Sequence, residues 1–167
     1  ASGAAKTPLP IYGTEGADRV VNGFMAAYEV DRGYRIAHHG PKVVPPSGFG
    51  GTAHVFNAPR GAPDLTLIDD PDLKVTAFPV EHHPVEGAVG YKFVYKGRTA
   101  VISGDTAASP RLEAAARGAD LLVHEGLAPN LVAIQREAAA KSGHDNLAAI
   151  LHDILSYHAA PETVAAE

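Results

Sequence analysis

The stretch Leu73–Thr106, "LKVTAFPVEHHPVEGAVGYKFVYKGRTAVISGDT", decides how this chain is read. Leu73 to Val80 is a run rich in β-formers, and it stops where Glu81-His82-His83-Pro84 brings in charge and a proline. Ala88–Tyr95 and Arg98–Ser103 are two more such runs, and Lys96-Gly97 between them suits a tight hairpin. The last run ends in Ser103-Gly104-Asp105-Thr106, where a glycine lets the backbone turn sharply before an acid.

Working outward toward the C-terminus, Ser109-Pro110 opens a helix, with Ser as cap and Pro in the first turn. That helix carries Leu112, Ala115 and Ala116 and stops at Gly118. Asp120–Val123 reads as a short buried strand that ends at His124-Glu125-Gly126. Residues 129–141 and 145–157 read as two helices broken at Ser142-Gly143, with His144 and Asp145 placed to cap the second. Toward the N-terminus, Leu9–Gly13 reads as a short extended piece, and the spacing of Val20, Val21, Phe24, Ala27 and Tyr28 predicts a helix over 16–30. The Pro- and Gly-dense segments 40–51 and 57–63 read as loops. Strands, then a helix, a strand and two helices make an α/β arrangement.

A chain of 167 residues suits one domain, and 46% hydrophobic residues suffice for a core. A net charge of -5 argues against a strongly basic nucleic-acid footprint. There are no cysteines, so any metal must be held by His, Asp and Glu, a donor set that suits zinc, iron or manganese. No apolar run approaches ~18 residues, so no membrane span is expected. The first ten residues, with one Lys and no apolar centre, do not read as a signal peptide.

Three polar clusters each follow the C-terminal end of an expected strand: Glu81-His82-His83, Ser103-Gly104-Asp105-Thr106 and His124-Glu125-Gly126. Loops at strand ends converge on a rigid frame, which is where sites gather. His158, past the last helix, is a fourth candidate. Each has a plain structural reading as well. Asp105 could be a turn residue, His124 a half-buried histidine on a carbonyl, Glu125 a solvated acid, and His158 a helix-end cation. His82 and His83 are neighbours, so on extended backbone at most one faces a given site. Taken together, the clusters supply imidazoles and carboxylates suited to a dinuclear hydrolytic site, in which Asp105 could bridge two cations.

The four pieces "VEHHPVEGAVGYKF", "VISGDT", "LLVHEG" and "SYHAAP", in that order, resemble the metallo-β-lactamase fold hydrolases, and among them the branch around ribonuclease Z and the enzymes labelled arylsulfatases. The opening "TPLPIYGTEGADRVVNGF" resembles a strand–turn–helix carried mid-chain in that branch. The resemblance implies an αββα sandwich of which this chain supplies the C-terminal half, one sheet plus its helices, as a single partial domain over residues 1–167. It implies His82, Asp105 and His158 as metal ligands, with Asp105 bridging two divalent ions of zinc type. It also implies His124 as proton donor to the leaving group, with Glu125 orienting it.

The family's His-x-His-x-Asp-His signature does not occur in these 167 residues. The expectation is therefore a metal-dependent hydrolase of esters or phosphodiesters that carries only part of its ligand set. Its complement would be an N-terminal half or a second copy of the chain. The alternative is a non-catalytic half-fold that serves in binding or assembly. Ribonuclease Z carries a basic arm that grips transfer RNA, and no such insertion is visible, so a small ester or phosphodiester is expected ahead of nucleic acid.

Overall fold

The structure, a computed structural model, describes residues 5–165. The chain divides into two compact units between Asn57 and Ala58. The first contains β1 (Leu9–Gly13), α1 (Ala17–Ala27), α2 (Glu29–His39), a 3-10 turn at Pro46–Gly48 and β2 (Gly51–Val55). β1 and β2 pair in parallel, from Leu9 with Gly51 to Gly13 with Val55. The single helix expected over 16–30 is two helices, because the chain leaves helical geometry at Tyr28 (φ -97°, ψ 8°) and re-enters it at Glu29. α2 buries none of its residues and is laced locally, as where Arg35 Nε donates to Asp31 at 2.6 Å. Its polar composition, with Gly33 at its centre, hides it in the sequence. β2 emerges from the segment expected to be loop, its start masked by Gly50-Gly51.

The second unit contains β3 (Leu65–Asp69), β4 (Leu73–Pro79), β5 (Val89–Tyr95), β6 (Arg98–Ile102), α3 (Pro110–Ala116) and β7 (Leu121–Val123). It continues with α4 (Pro129–Lys141), α5 (Asp145–Asp153), a 3-10 turn at Ile154–Ser156 and the short α6 (Pro161–Val164). The strands form one sheet in the order β3-β4-β5-β6-β7, antiparallel except for the β6–β7 pair. β4, β5 and β6 lie where the sequence places them. Their hairpin turn has positive φ at both Lys96 (48°) and Gly97 (80°), as the right-handed strand twist favours. β3 was not expected, since Asp69-Asp70-Pro71-Asp72 directly after it hides a five-residue strand. The helix expected over 145–157 is regular only to Asp153. His144 holds the position before α5 but makes no side-chain capping bond.

One face of this sheet is covered by α3. Phe78, Val80, Val101 and Leu112 form the core there, flanked by Ala88, Ala115, Ala116 and Ala119. Each large side chain of this kind contributes about 1.5–3 kcal/mol by leaving water. Ser109 caps α3 as expected, its hydroxyl accepting the Leu112 N–H at 3.4 Å. The strand β7 differs from expectation. It is a sheet edge, and Leu121 and Val123 are 55% and 49% exposed, as is Ile102 beside it at 40%. Ile102 alternates with the fully buried Val101, so these residues belong to the face that α3 does not cover. An apolar run shows that a strand has a face to bury, not that its own chain buries it. β7 is pinned at its head by Asp120, which accepts from the Thr99 N–H at 2.7 Å and from Arg98 Nη1 at 2.5 Å. These bonds hold the Asp120 carboxyl below its ordinary range, the Thr99 amide first. α4 and α5 pack on each other around Val132, Ala139 and Leu151.

Candidate metal centre

Strand direction brings the expected clusters to one place. β4 and β6 are both antiparallel to β5, so they run the same way, and β7 is parallel to β6. The loops after Pro79, Ile102 and Val123 therefore all leave the same end of the sheet. Because β3 is antiparallel to β4, the segment before Leu65 arrives at that end too. Gly104 lets the middle loop fold close: its φ is 65°, and a Cβ there would collide with the Val89 carbonyl.

Glu125 holds these loops together. Its Oε1 accepts from His158 Nδ1 at 3.0 Å, from the Ala159 N–H at 3.1 Å and from the Thr106 N–H at 3.2 Å. Its own N–H donates to Ser103 Oγ at 2.9 Å, and the Leu127 N–H donates to the Ala159 carbonyl at 2.8 Å. Ser103 and Thr106 are buried, so this polar network is sheltered and largely satisfied within the chain. The carboxylate of Glu125 thus orients His158 rather than His124, as had been expected. His124 Nδ1 lies 2.6 Å from the Glu125 main-chain carbonyl instead. A carbonyl only accepts, so that nitrogen carries a proton.

His82 and His158 face each other, with ring centroids 5.5 Å apart in an edge arrangement. Tyr157 packs against both, at 4.9 Å and 5.0 Å. His83 turns away: its Nδ1 meets Arg60 Nη2 at 3.1 Å. Arg60 also lies 3.9 Å from Glu81 and 4.0 Å from Glu86, so it braces the tip of the His82 loop. Asp105 stands at the same strand end with its side chain exposed. Arg60, Thr106 and Tyr157 were missed as contributors. Thr106 and Tyr157 sit inside the "SGDT" and "SYHAAP" strings, but nothing in a string shows which neighbour points inward.

These residues can be tested for fit to a metal ion. Because a carboxylate accepts, the His158 Nδ1 bond leaves Nε2 as the donor atom in the neutral ring, the arrangement that orients a ligating imidazole. His82 Nδ1 is buried without a hydrogen-bond partner, which is costly unless something else engages the ring. The donor chemistry therefore fits a zinc-type ion. The number does not suffice, because among the described residues no three His, Asp or Glu cluster closely enough to hold one. The fit is that of a partial ligand set.

No protein-family model matches the chain. Ribonuclease Z of Mycobacterium marinum is 29% identical over 163 residues, covering 98% of this chain and 51% of that protein. Ribonuclease Z of Mycolicibacterium paratuberculosis is 31% identical over 159 residues, covering 95% of this chain and 50% of that protein. Among solved structures, human tRNase Z, short form, superposes with a TM-score of 0.50 at 22% identity, covering 94% of this chain and 62% of that one. The metallo-β-lactamase fold protein YhfI from Bacillus subtilis is also similar, with a TM-score of 0.46, 17% identity and coverage of 74% of this chain and 39% of that one.

The chain carries the metallo-β-lactamase fold, and in sequence it is similar to proteins of the ribonuclease Z branch. It resembles the C-terminal half of that fold and spans about half the length of the curated relatives it matches. The sheet and its covering helix are thus parts of a metallo-β-lactamase architecture, as the four sequence pieces led us to expect. The two-stranded sheet β1–β2 is an addition to the single sheet foreseen. Among the described residues, no helix is long and apolar enough to cross a membrane.

Proposed function

We propose that this chain is part of a metal-dependent phosphodiester hydrolase whose substrate class is RNA. The observation that carries this reading is the His158–Glu125 pair at 3.0 Å, facing the unpartnered His82 ring across 5.5 Å. His82, Asp105 and His158 are assigned as ligands within a site for two divalent ions, zinc being the best match to the donors. When bound, such ions would supply Lewis acidity and lower the pKa of water. Glu125 holds the His158 ring in the ligating tautomer, and His124 is placed at the same strand end to give a proton to the leaving oxygen. The relatives are named for ribonuclease activity, which supports RNA over the small ester that the missing arm suggested.

The remaining ligands come from a complementary half of the fold. The uncovered apolar face at Ile102, Leu121 and Val123 supports this, since it lies at the same strands that present the site. Zinc titration by calorimetry tests the ligand assignment, comparing the native chain with His82→Ala, Asp105→Ala and His158→Ala. Each substitution should weaken binding at least tenfold, and unchanged affinity in all three would sink the proposal. The second reading, a non-catalytic half-fold for assembly, is favoured by the absence of a three-ligand cluster among the described residues. It would show as self-association in sedimentation with no zinc binding.

A further inference from the structure

We infer that Thr106 is a positioning residue that sets His82 against His158. The two histidines are held in different ways. His158 is fixed through its own side chain, by the bond from Nδ1 to Glu125. Among the described residues His82 Nδ1 has no hydrogen-bond partner, and its ring packs on the rings of Tyr157 and His158. Its direction is therefore set by the backbone that carries it.

That backbone is stitched to Thr106. The Glu81 N–H donates to Thr106 Oγ1 at 3.0 Å, and the Ala107 N–H donates to the Glu81 carbonyl at 2.7 Å. The hydroxyl proton of Thr106 goes to the Ala107 carbonyl, at 2.7 Å, ahead of the Glu81 carbonyl at 3.3 Å. Both main-chain polar groups of the residue before His82 are thus tied to the Asp105 loop. The Thr106 N–H in turn donates to Glu125 Oε1, the oxygen that orients His158. One fully buried residue links the two histidine-bearing segments, through its hydroxyl on one side and its amide on the other. Arg60 meets the same loop at its exposed tip, through the His83 ring at 3.1 Å, a long bond from its N–H to Glu86 at 3.4 Å and exposed ion pairs near 4 Å. Contacts of that sort are worth little.

The geometry stands without any metal, but its consequence for binding rests on the ligand assignment above. The test is heteronuclear NMR of the full chain, followed by zinc titration, with Thr106→Val and Thr106→Ser. Valine keeps the shape and the amide but removes the hydroxyl, whereas serine keeps the hydroxyl. In T106V the His82 ring resonances should shift and its contact with the Tyr157 ring should weaken, while the Nδ1–H signal of His158 stays. T106S should match the native chain. Zinc affinity in T106V should fall about 10- to 100-fold, the usual effect of losing support behind a ligand. A His82 ring that does not move in T106V overturns the proposal, as does a T106S chain that behaves like T106V. If T106V fails to fold, Thr106→Ala replaces it, and loss of the fold in both would assign Thr106 to stability alone and overturn the inference. A ring that moves with no change in zinc affinity supports the positioning role while overturning the ligand reading.

Discussion

The residues after Asn57 bury Phe78, Val80, Val101 and Leu112 between a five-stranded sheet and α3. Among the described residues before it, Val21 is the only buried large apolar side chain, and Val20, Phe24, Tyr28, Val30 and Tyr34 stand in solvent. Both regions have ample apolar residues, so composition does not separate them. The difference lies in layering. A sheet of five strands offers a face wide enough for a helix to lie across, whereas two strands of five residues cannot cover two helices. An apolar groove of about 580 Å³ between α1 and the β1–β2 pair, lined by Ile11, Val20, Phe24, Met25 and Phe49, is what that shortfall looks like.

Three substitutions would break or sharpen this contrast. The largest effect belongs to Leu112→Ala, which empties a fully buried position on the inner side of α3. It should cost about 2–5 kcal/mol in denaturant unfolding of the second region. A smaller loss would mean that the α3 layer is looser than its burial suggests. Ser109→Ala removes the cap of the same helix and should cost about 1 kcal/mol. A negligible change there would show that Pro110 alone starts α3. The smallest effect is expected from Phe24→Ala, at a side chain 63% exposed. Stability should change by no more than about 0.5 kcal/mol, as surface positions do. A cost near that of Leu112→Ala would erase the contrast and show that the first region buries Phe24 in solution.

Much of the second region was legible because its signals are local. β4, β5 and β6 are runs of β-formers, Lys96-Gly97 is a turn, and Ser109-Pro110 is a helix start that needs no distant partner. That His82 and His83 would part was also within reach, and Arg60 does draw His83 away, but only the family resemblance singled out His82. β2 and β3 were hidden by flanking glycines, aspartates and proline, and α2 by its polar composition and Gly33. Glu125 was recognised as part of the site but matched to its sequence neighbour His124, when its carboxylate reaches His158.

By itself, then, the sequence determined which donors this protein has and where β4, β5, β6 and the cap of α3 begin, because those depend on residues in contact along the chain. Tertiary structure alone decided which donors meet. The strands β4, β6 and β7 share a direction only through their pairing with β5 and with each other, and that pairing puts Glu81, Thr106 and Glu125 at one sheet end, where the Glu125 and Leu127 bonds to Ala159 tie in the segment that carries His158. A carboxylate and an imidazole 33 residues apart then close to hydrogen-bonding distance. The physical reason is that a hydrogen bond depends on position to within fractions of an ångström, and tertiary packing, not sequence spacing, supplies that position.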